Sequence, residues 1–359
     1  MSRTTSKTRV KSDNKLDELF ESSERIMREA VEEATKDGHK IVATVALYSG
    51  GNDSTTMAHM FARGHFADTP FRVTHAAHAN TSIGIEETRQ FVRDTCKSWD
   101  LKLIEKYCEP GKTYEDLVLG KVFAYPRPGS PRYKPENGLE QHREQIWSGF
   151  PSPPGHKIMY NMLKERAMNK VRSDLVKHPS RERVLYITGI RRDESQRRAK
   201  RPAVQRKGSA VWVSPLIEWT ALDLNAYRFK YLHTDLEVPR NPVAELLHMS
   251  GECLCGAFGH EGELDEIARH FPEVAEKIRA LQDKVKAASL RGDFLQDRTP
   301  SCLWGFDARK PGESPLTSES GGPMCAGCDT RAEMEERPKE EQFAETERWI
   351  AEGGTPVVG

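Results

Sequence analysis

The chain has no apolar run long enough to cross a membrane, and its mean hydropathy is low at −0.68. That excludes an integral helical membrane protein. Its start, Met1-Ser-Arg-Thr-Thr-Ser-Lys-Thr-Arg-Val10, is basic and polar with no apolar centre, so it does not read as a secretion signal. A cytoplasmic location is the expectation. Net charge is also missing: 54 basic residues balance 54 acidic ones, so no global field draws the chain to nucleic acid or lipid. Only local patches could do that. Neither Gly-x4-Gly-Lys-Ser/Thr nor Gly-x-Gly-x-x-Gly occurs at a strand end, which removes two common phosphate loops. Cysteine is scarce in the first two thirds. Five of the seven, Cys253, Cys255, Cys302, Cys325 and Cys328, crowd into the last third. Without a secretion signal, that pattern favours metal or cluster chemistry over disulfides.

What is present is organised around one stretch. Ile41 to Tyr48 is an apolar, β-branched run that predicts a buried strand. Ser49-Gly-Gly-Asn-Asp-Ser54 follows at once, and Thr55 to Ala62 predicts a helix capped by Asp53 or Ser54. Strand, glycine turn and helix N-terminus form an anion cradle, because unpaired N–H groups and the helix dipole point at the turn. Further helices are predicted over 15–37, 86–99 and 157–178, and further strands over 71–78, 101–107 and 183–188, with a short one at Val211–Val213. Thr220 to Asp223 is a capping box. Leu264 to Leu290 reads as helix interrupted near Pro272. The alternation predicts an α/β, doubly wound parallel sheet whose ligand lies beyond the strands' carboxyl ends.

The domain organisation expected is a disordered basic arm (1–14), a nucleotide-binding domain (15–245), a cysteine-rich module (246–332) and an acidic tail (333–359). Residues 121–155 are broken by prolines but contain Trp147 and Phe150, and read as a lid or substrate loop. Arg191, Arg192, Arg197, Arg198, Lys200, Arg201, Arg206 and Lys207 cluster after a core strand, on the sheet edge where the glycine turn lies. The first two suit a phosphate or sulfate, while Arg197–Lys207 could meet a nucleic-acid backbone. Cys253-Leu-Cys255 and Cys325-Ala-Gly-Cys328 are two close thiol pairs that suit Zn²⁺ or a 4Fe-4S cluster. Cys96 and Cys108 lie in sheet-associated elements and read as packing residues.

The Ser49–Ser54 turn resembles the Ser-Gly-Gly-x-Asp-Ser signature of the PP-loop ATP pyrophosphatases, the adenine nucleotide α-hydrolase superfamily. Asn80–Thr88, Gly189–Ser195 and Ser214–Thr220 narrow the resemblance to the phosphoadenosine phosphosulfate (PAPS) reductase-like family, over about residues 40–245. The resemblance implies a PP-loop, Rossmann-like fold and an enzyme that binds ATP or an adenylyl (phospho)sulfate in sulfur transfer or assimilation. It assigns the phosphate cradle to Ser49, Gly50, Gly51, Asn52, Asp53 and Ser54, with Asp53 also on Mg²⁺ if the ligand is ATP. It sets the adenine against Ala76–His78 and lines the far side with Gly189, Arg191, Arg192 and Glu194. Ser49, Asp53, Ser54 and Arg191 would be catalytic, and Cys253, Cys255, Cys325 and Cys328 would hold the metal. The reductases' Glu-Cys-Gly-x-His motif is missing; the chain reads Gly251-Glu-Cys-Leu-Cys-Gly256. The alternatives are an ATP-dependent nucleic-acid sulfurtransferase, with a sulfur donor protein as a further partner, or a nucleic-acid-binding protein with structural zinc.

Overall fold

The apolar run after Lys40 forms β1 (Lys40–Leu47), and the rest of the sheet grows outward from it on both sides. The structure is a computed structural model that describes residues 5–124, 144–194, 196–295 and 300–305, with side chains from residue 15 onward except 196 and 197. In chain order the elements are α1 (Thr5–Thr35), β1, α2 (Asn52–Ala62), β2 (His75–Asn80), α3 (Glu86–Ser98), β3 (Lys102–Tyr107) and α4 (Tyr114–Val118). Next come β4 (Phe123–Ala124), β5 (Glu144–Gln145), α5 (His156–Tyr160), α6 (Arg166–Leu175), β6 (Glu182–Ile187), α7 (Gln196–Ala199), β7 (Val204–Lys207) and β8 (Ala210–Val213). The last are α8 (Ala221–Lys230), α9 (Pro242–Leu247), α10 (Glu263–His270) and α11 (Pro272–Leu290).

Six strands lie in the order β3-β2-β1-β6-β8-β7, parallel throughout except at the β7–β8 edge. The chain steps outward from β1 to β3 and then returns to the other side of β1 as β6. Strand order therefore reverses between β1 and β6, where the loops leaving the two strands part and open a crevice. Both faces are covered. Ala43, Val45 and Leu47 of β1 pack with Met168 and Val171 of α6. Ala46 and Tyr48 turn the other way, into a core with Phe20 of α1, Met57 and Met60 of α2, Tyr227 of α8 and Trp219 just before α8. Burial on two faces explains why β1 reads as a continuous apolar run instead of an alternating one.

Several elements depart from expectation. α1 begins at Thr5, inside the segment expected to be a disordered arm, and no proline or glycine interrupts 5–35. Phe71 and Val73 are buried but precede β2. Val73 N–H donates to Phe61 O at the end of α2, and pairing with β1 starts only at Thr74. The helix expected over 157–178 is split, with a π-helical turn at Asn161–Glu165 between α5 and α6. The edge strand β7 was hidden in the basic run, and charged side chains are what an exposed edge carries. The break at Pro272 is as expected: α10 ends at His270 and Pro272 opens α11.

A second core gathers Ile83, Ile85, Tyr114, Trp147 and Phe150 with Leu254, Cys255, Ala257 and Trp304. The division expected at residue 245 runs through this core, because residues on both sides of it share one buried interior. Trp147 and Phe150 belong to it and not to a cover over the crevice. Residues 125–143 of the expected lid, the 306–332 part of the cysteine-rich module and the 333–359 tail lie outside the described residues.

Candidate active site

A cavity of about 330 Å³ opens at the β1/β6 crevice, and the Ser49–Ser54 turn forms its floor. Gly50 has φ +80, in the left-handed region; a Cβ there would stand 2.9 Å from Thr88 Cγ2 and 3.1 Å from Val92 Cγ2. Both the conformation and the space demand glycine. The N-cap of α2 is Gly51, not Asp53 or Ser54 as expected, and it carries no side-chain cap. The chain turns helical earlier than the hydroxyl and carboxylate residues suggest, so the first turn has no side-chain cap, and Asn52, Asp53 and Ser54 of that turn line the cavity. Ser54 instead braces the turn: its Oγ donates to Gly51 O at 3.0 Å, accepts from Ser49 N–H at 3.3 Å and lies 3.1 Å from Ser49 Oγ.

The far wall comes from the end of β6. A Cβ on Gly189 would lie 2.9 Å from the backbone C and O of Asp53, so only glycine lets the loop after β6 close against α2. Arg191 is buried and reaches back across the crevice, with Nε donating to Asp53 Oδ2 at 3.1 Å and Nη1 to Asp193 Oδ2 at 3.1 Å. Glu194 is buried, accepts from Arg191 N–H at 3.0 Å and pairs with Arg198. Burial raises the Glu194 carboxyl above the ordinary carboxylate range, against the pull of Arg198. Arg192 is different. Its side chain is exposed, lies 3.9 Å from Glu218 and does not line the cavity, so it is corrected from a nucleotide contact to a surface residue. The strand that ends at Ile187 turns Ile190 and Arg191 inward and leaves Arg192 facing solvent.

On the β2 side, Ala77, His78 and Ala79 line the cavity; Ala76 does not and is buried in the main core. The His78 ring is engaged on both edges. Nδ1 lies 2.8 Å from Tyr48 O and Nε2 lies 3.2 Å from Glu252 Oε2. Glu252 also accepts from Thr81 N–H at 2.8 Å and Arg89 Nε at 3.1 Å. Burial pushes its carboxyl upward, but His78 and Arg89 outweigh that and hold it below the usual range. Glu252, Arg228, Asn241 and His248 were not foreseen. Arg228, His248 and Glu252 line the cavity, while Asn241 Nδ2 donates to Gly50 O at 2.8 Å and so clamps the turn from behind. Asn-Pro at 241–242 does signal a helix start, but nothing local in the sequence couples it to a turn 191 residues away.

The cysteines divide. Cys255 is buried in the second core, where its carbonyl accepts from Tyr114 Oη at 2.7 Å, and Cys253 packs beside that core. Cys302 and Cys108 pack against it too. Cys325, Cys328 and Ser195 lie outside the described residues. Among the described residues no three His, Cys, Asp or Glu side chains converge to hold a metal. Cys96 is buried in the main core and its thiol is pushed up to about 12 by burial, which suits packing. The basic run is also broken up: Arg198 turns inward to Glu194, and Arg206 pairs with Glu33 of α1.

Solved structures that resemble the chain include a reductase and a thiolase. A crystal structure of phosphoadenylyl-sulfate (PAPS) reductase from Candida auris, in complex with phosphate, is 15% identical with a TM-score of 0.38, covering 66% of this chain and 90% of that one. U34-tRNA thiolase NcsA from Methanococcus maripaludis, with its 4Fe-4S cluster, is 11% identical with a TM-score of 0.34, covering 77% and 85%. No curated protein matches the sequence. The family model described as "Phosphoadenosine phosphosulfate reductase domain" matches residues 43–238, more than half of the chain and all of the sheet except the first residues of β1. By that match the chain belongs to the phosphoadenosine phosphosulfate reductase domain family.

Proposed function

We propose that the chain is a PP-loop enzyme of sulfur metabolism that binds an adenine nucleotide in the β1/β6 cavity, with the nucleotide's anionic arm on the Ser49–Ser54 turn. The observation that carries this reading is the turn itself. Gly50 and Gly51 bring backbone close to the cavity, and Gly189 packs directly on Asp53 from the opposite strand. That sets the first turn of α2 against the space where an anion would lie. Leu47, Ala77, Ala79 and Met168 give the cavity an apolar stretch on which a purine could lie.

ATP is favoured over an adenylyl sulfate as the bound nucleotide. The reductases' attacking-cysteine motif is replaced here by Gly251-Glu-Cys-Leu-Cys-Gly256, in which Cys255 is buried. With ATP, attack at the α-phosphate would break the bond to the β-phosphate, and pyrophosphate would leave with the electron pair. The turn would stabilise that leaving group through donors already in place. Asp53 would hold Mg²⁺, which would neutralise charge on the phosphates. Cys253 and Cys255 supply half of a four-thiolate set, so a 4Fe-4S or zinc centre shared with Cys325 and Cys328 remains outside this proposal.

Calorimetry with Mg²⁺-ATP and with PAPS tests the reading. Wild-type protein should bind ATP, and Ser49→Ala and Asp53→Ala should each weaken it at least tenfold, about 1.4 kcal/mol. Binding left unchanged in both variants would sink it. Tighter binding of PAPS than of ATP would move the assignment to an adenylyl sulfate.

A further inference from the structure

Two arginines on the β6 side of the glycine turn are already matched by carboxylates. Arg191 is held by Asp53 and Asp193, and Arg198 by Glu194. Arg228, on α8, is not. It lines the same cavity, and among the described residues its guanidinium bonds to neutral groups: Nη1 donates to Asn52 Oδ1 at 3.0 Å and Nη2 to Pro239 O at 3.0 Å. Its Nε is buried with no acceptor. It makes no ion pair among the described residues; Asp53 and Glu245 lie within electrostatic reach only, and Glu245 is paired with Arg240. Burial and the neighbouring Arg240 both disfavour the charge. The guanidinium is bonded to Asn52, the first residue of α2, so it stands at the helix N-terminus whose first residues line the cavity.

We propose that Arg228 is an anion-binding residue of this site, which takes a phosphoryl group of a polyphosphate arm in its guanidinium fork while the first turn of α2 holds the same arm from below. A planar, permanently charged fork fits phosphate oxygens in pairs, and among the described residues no carboxylate forms an ion pair with it. The residue supplies positive charge that Arg191, neutralised by Asp53, does not. This inference rests on the nucleotide reading above and names the cation that reading needs.

Inorganic pyrophosphate and adenosine, titrated separately by calorimetry, probe the two ends of the cavity. Wild-type protein should bind pyrophosphate; Arg228→Met should lose at least tenfold of that affinity and Arg228→Lys an intermediate factor, with adenosine affinity unchanged in both. The melting temperature of ligand-free Arg228→Met should equal or exceed that of wild type, because a half-buried charge without an ion-pair partner among the described residues has been removed. A purely structural arginine would give the opposite shift. Pyrophosphate bound equally by wild type and Arg228→Met, or not bound by wild type, overturns the inference, as does a parallel loss of adenosine. Should Arg228→Met fail to fold, Arg228→Lys decides: unchanged pyrophosphate affinity overturns the proposal and a clear loss supports it. Pyrophosphate binding that depends on Arg228 in a protein that binds neither ATP nor PAPS would keep this inference and remove the nucleotide reading.

Discussion

Gly50 is asked for twice, by a backbone angle and by a neighbour. Alanine there meets the left-handed penalty and a Thr88 methyl at 2.9 Å from the new Cβ. Gly50→Ala should therefore lower unfolding free energy by about 1–3 kcal/mol and abolish nucleotide binding, read by urea denaturation and calorimetry on the same preparation. Loss of binding without loss of stability would mean that the turn has shifted and not strained. Gly50, Gly51 and Gly189 were legible because glycine at a strand end has few other uses. Arg228 and Glu252 were not. An arginine on an amphipathic helix and a glutamate beside a cysteine look like ordinary solvated residues until the fold sets them against the cavity. Arg192 failed in the reverse sense. It shares a motif with Arg191, yet one step along the chain turns it to solvent.

α2 carries the glycine turn at its N-terminus and a buried imidazole in its last turn. His59 is covered by Trp99, Tyr227 and Tyr231, and its Nδ1 lies 2.8 Å from Tyr227 Oη. Burial pushes it down to about 4. Unfolded, it titrates near ~6.5. Between those values the unfolded chain binds the extra proton, so the stability that neutral His59 contributes is present above pH 6.5 and lost as pH falls toward 4. The size is up to about 3 kcal/mol. Urea midpoints from pH 7.5 to 4.5 should fall more steeply for wild type than for His59→Gln; equal slopes would assign the loss to other groups. As an element, α2 was predictable from the strand–glycine–helix order, but its cap was not. Ser54 and Asp53 are favoured cap residues; here the glycine starts the helix, and Ser54 bonds backward to hold the turn shut. The π-helical turn between α5 and α6 left no mark in the hydrophobic period either.

At the scale of the molecule, two cores meet along a seam of polar side chains. Glu252 sits in that seam, joined to His78 on β2, Thr81 after it and Arg89 on α3. Glu252→Gln leaves Arg89 with only the exposed Glu86 as a counter-ion among the described residues and should cost about 2–3 kcal/mol. Hydrogen exchange should then quicken together at 81–89 and 250–256. Quickening confined to 250–256 would show that the two cores are not coupled through this residue. The sheet order could be anticipated from the alternation of strands and helices, because right-handed crossovers leave few arrangements. The second core could not. Its residues come from 83–85, 114–122, 147–163 and 243–304, and no local period connects such distant pieces.

Asn241 belongs to the same seam. Its Nδ2 donates to Gly50 O and to Thr88 Oγ1, and its Oδ1 accepts from Val243 N–H, so each end of the amide has a fixed task. Conversion to aspartate would put a carboxylate against the Gly50 carbonyl. Spontaneous deamidation begins when the next residue's amide nitrogen attacks the side-chain carbonyl, and the next residue here is Pro242, which has no N–H to give. The proline that starts α9 thus also shields the clamp on the glycine turn from chemical ageing, and prolonged incubation at mildly alkaline pH should leave mass and nucleotide affinity at this position unchanged.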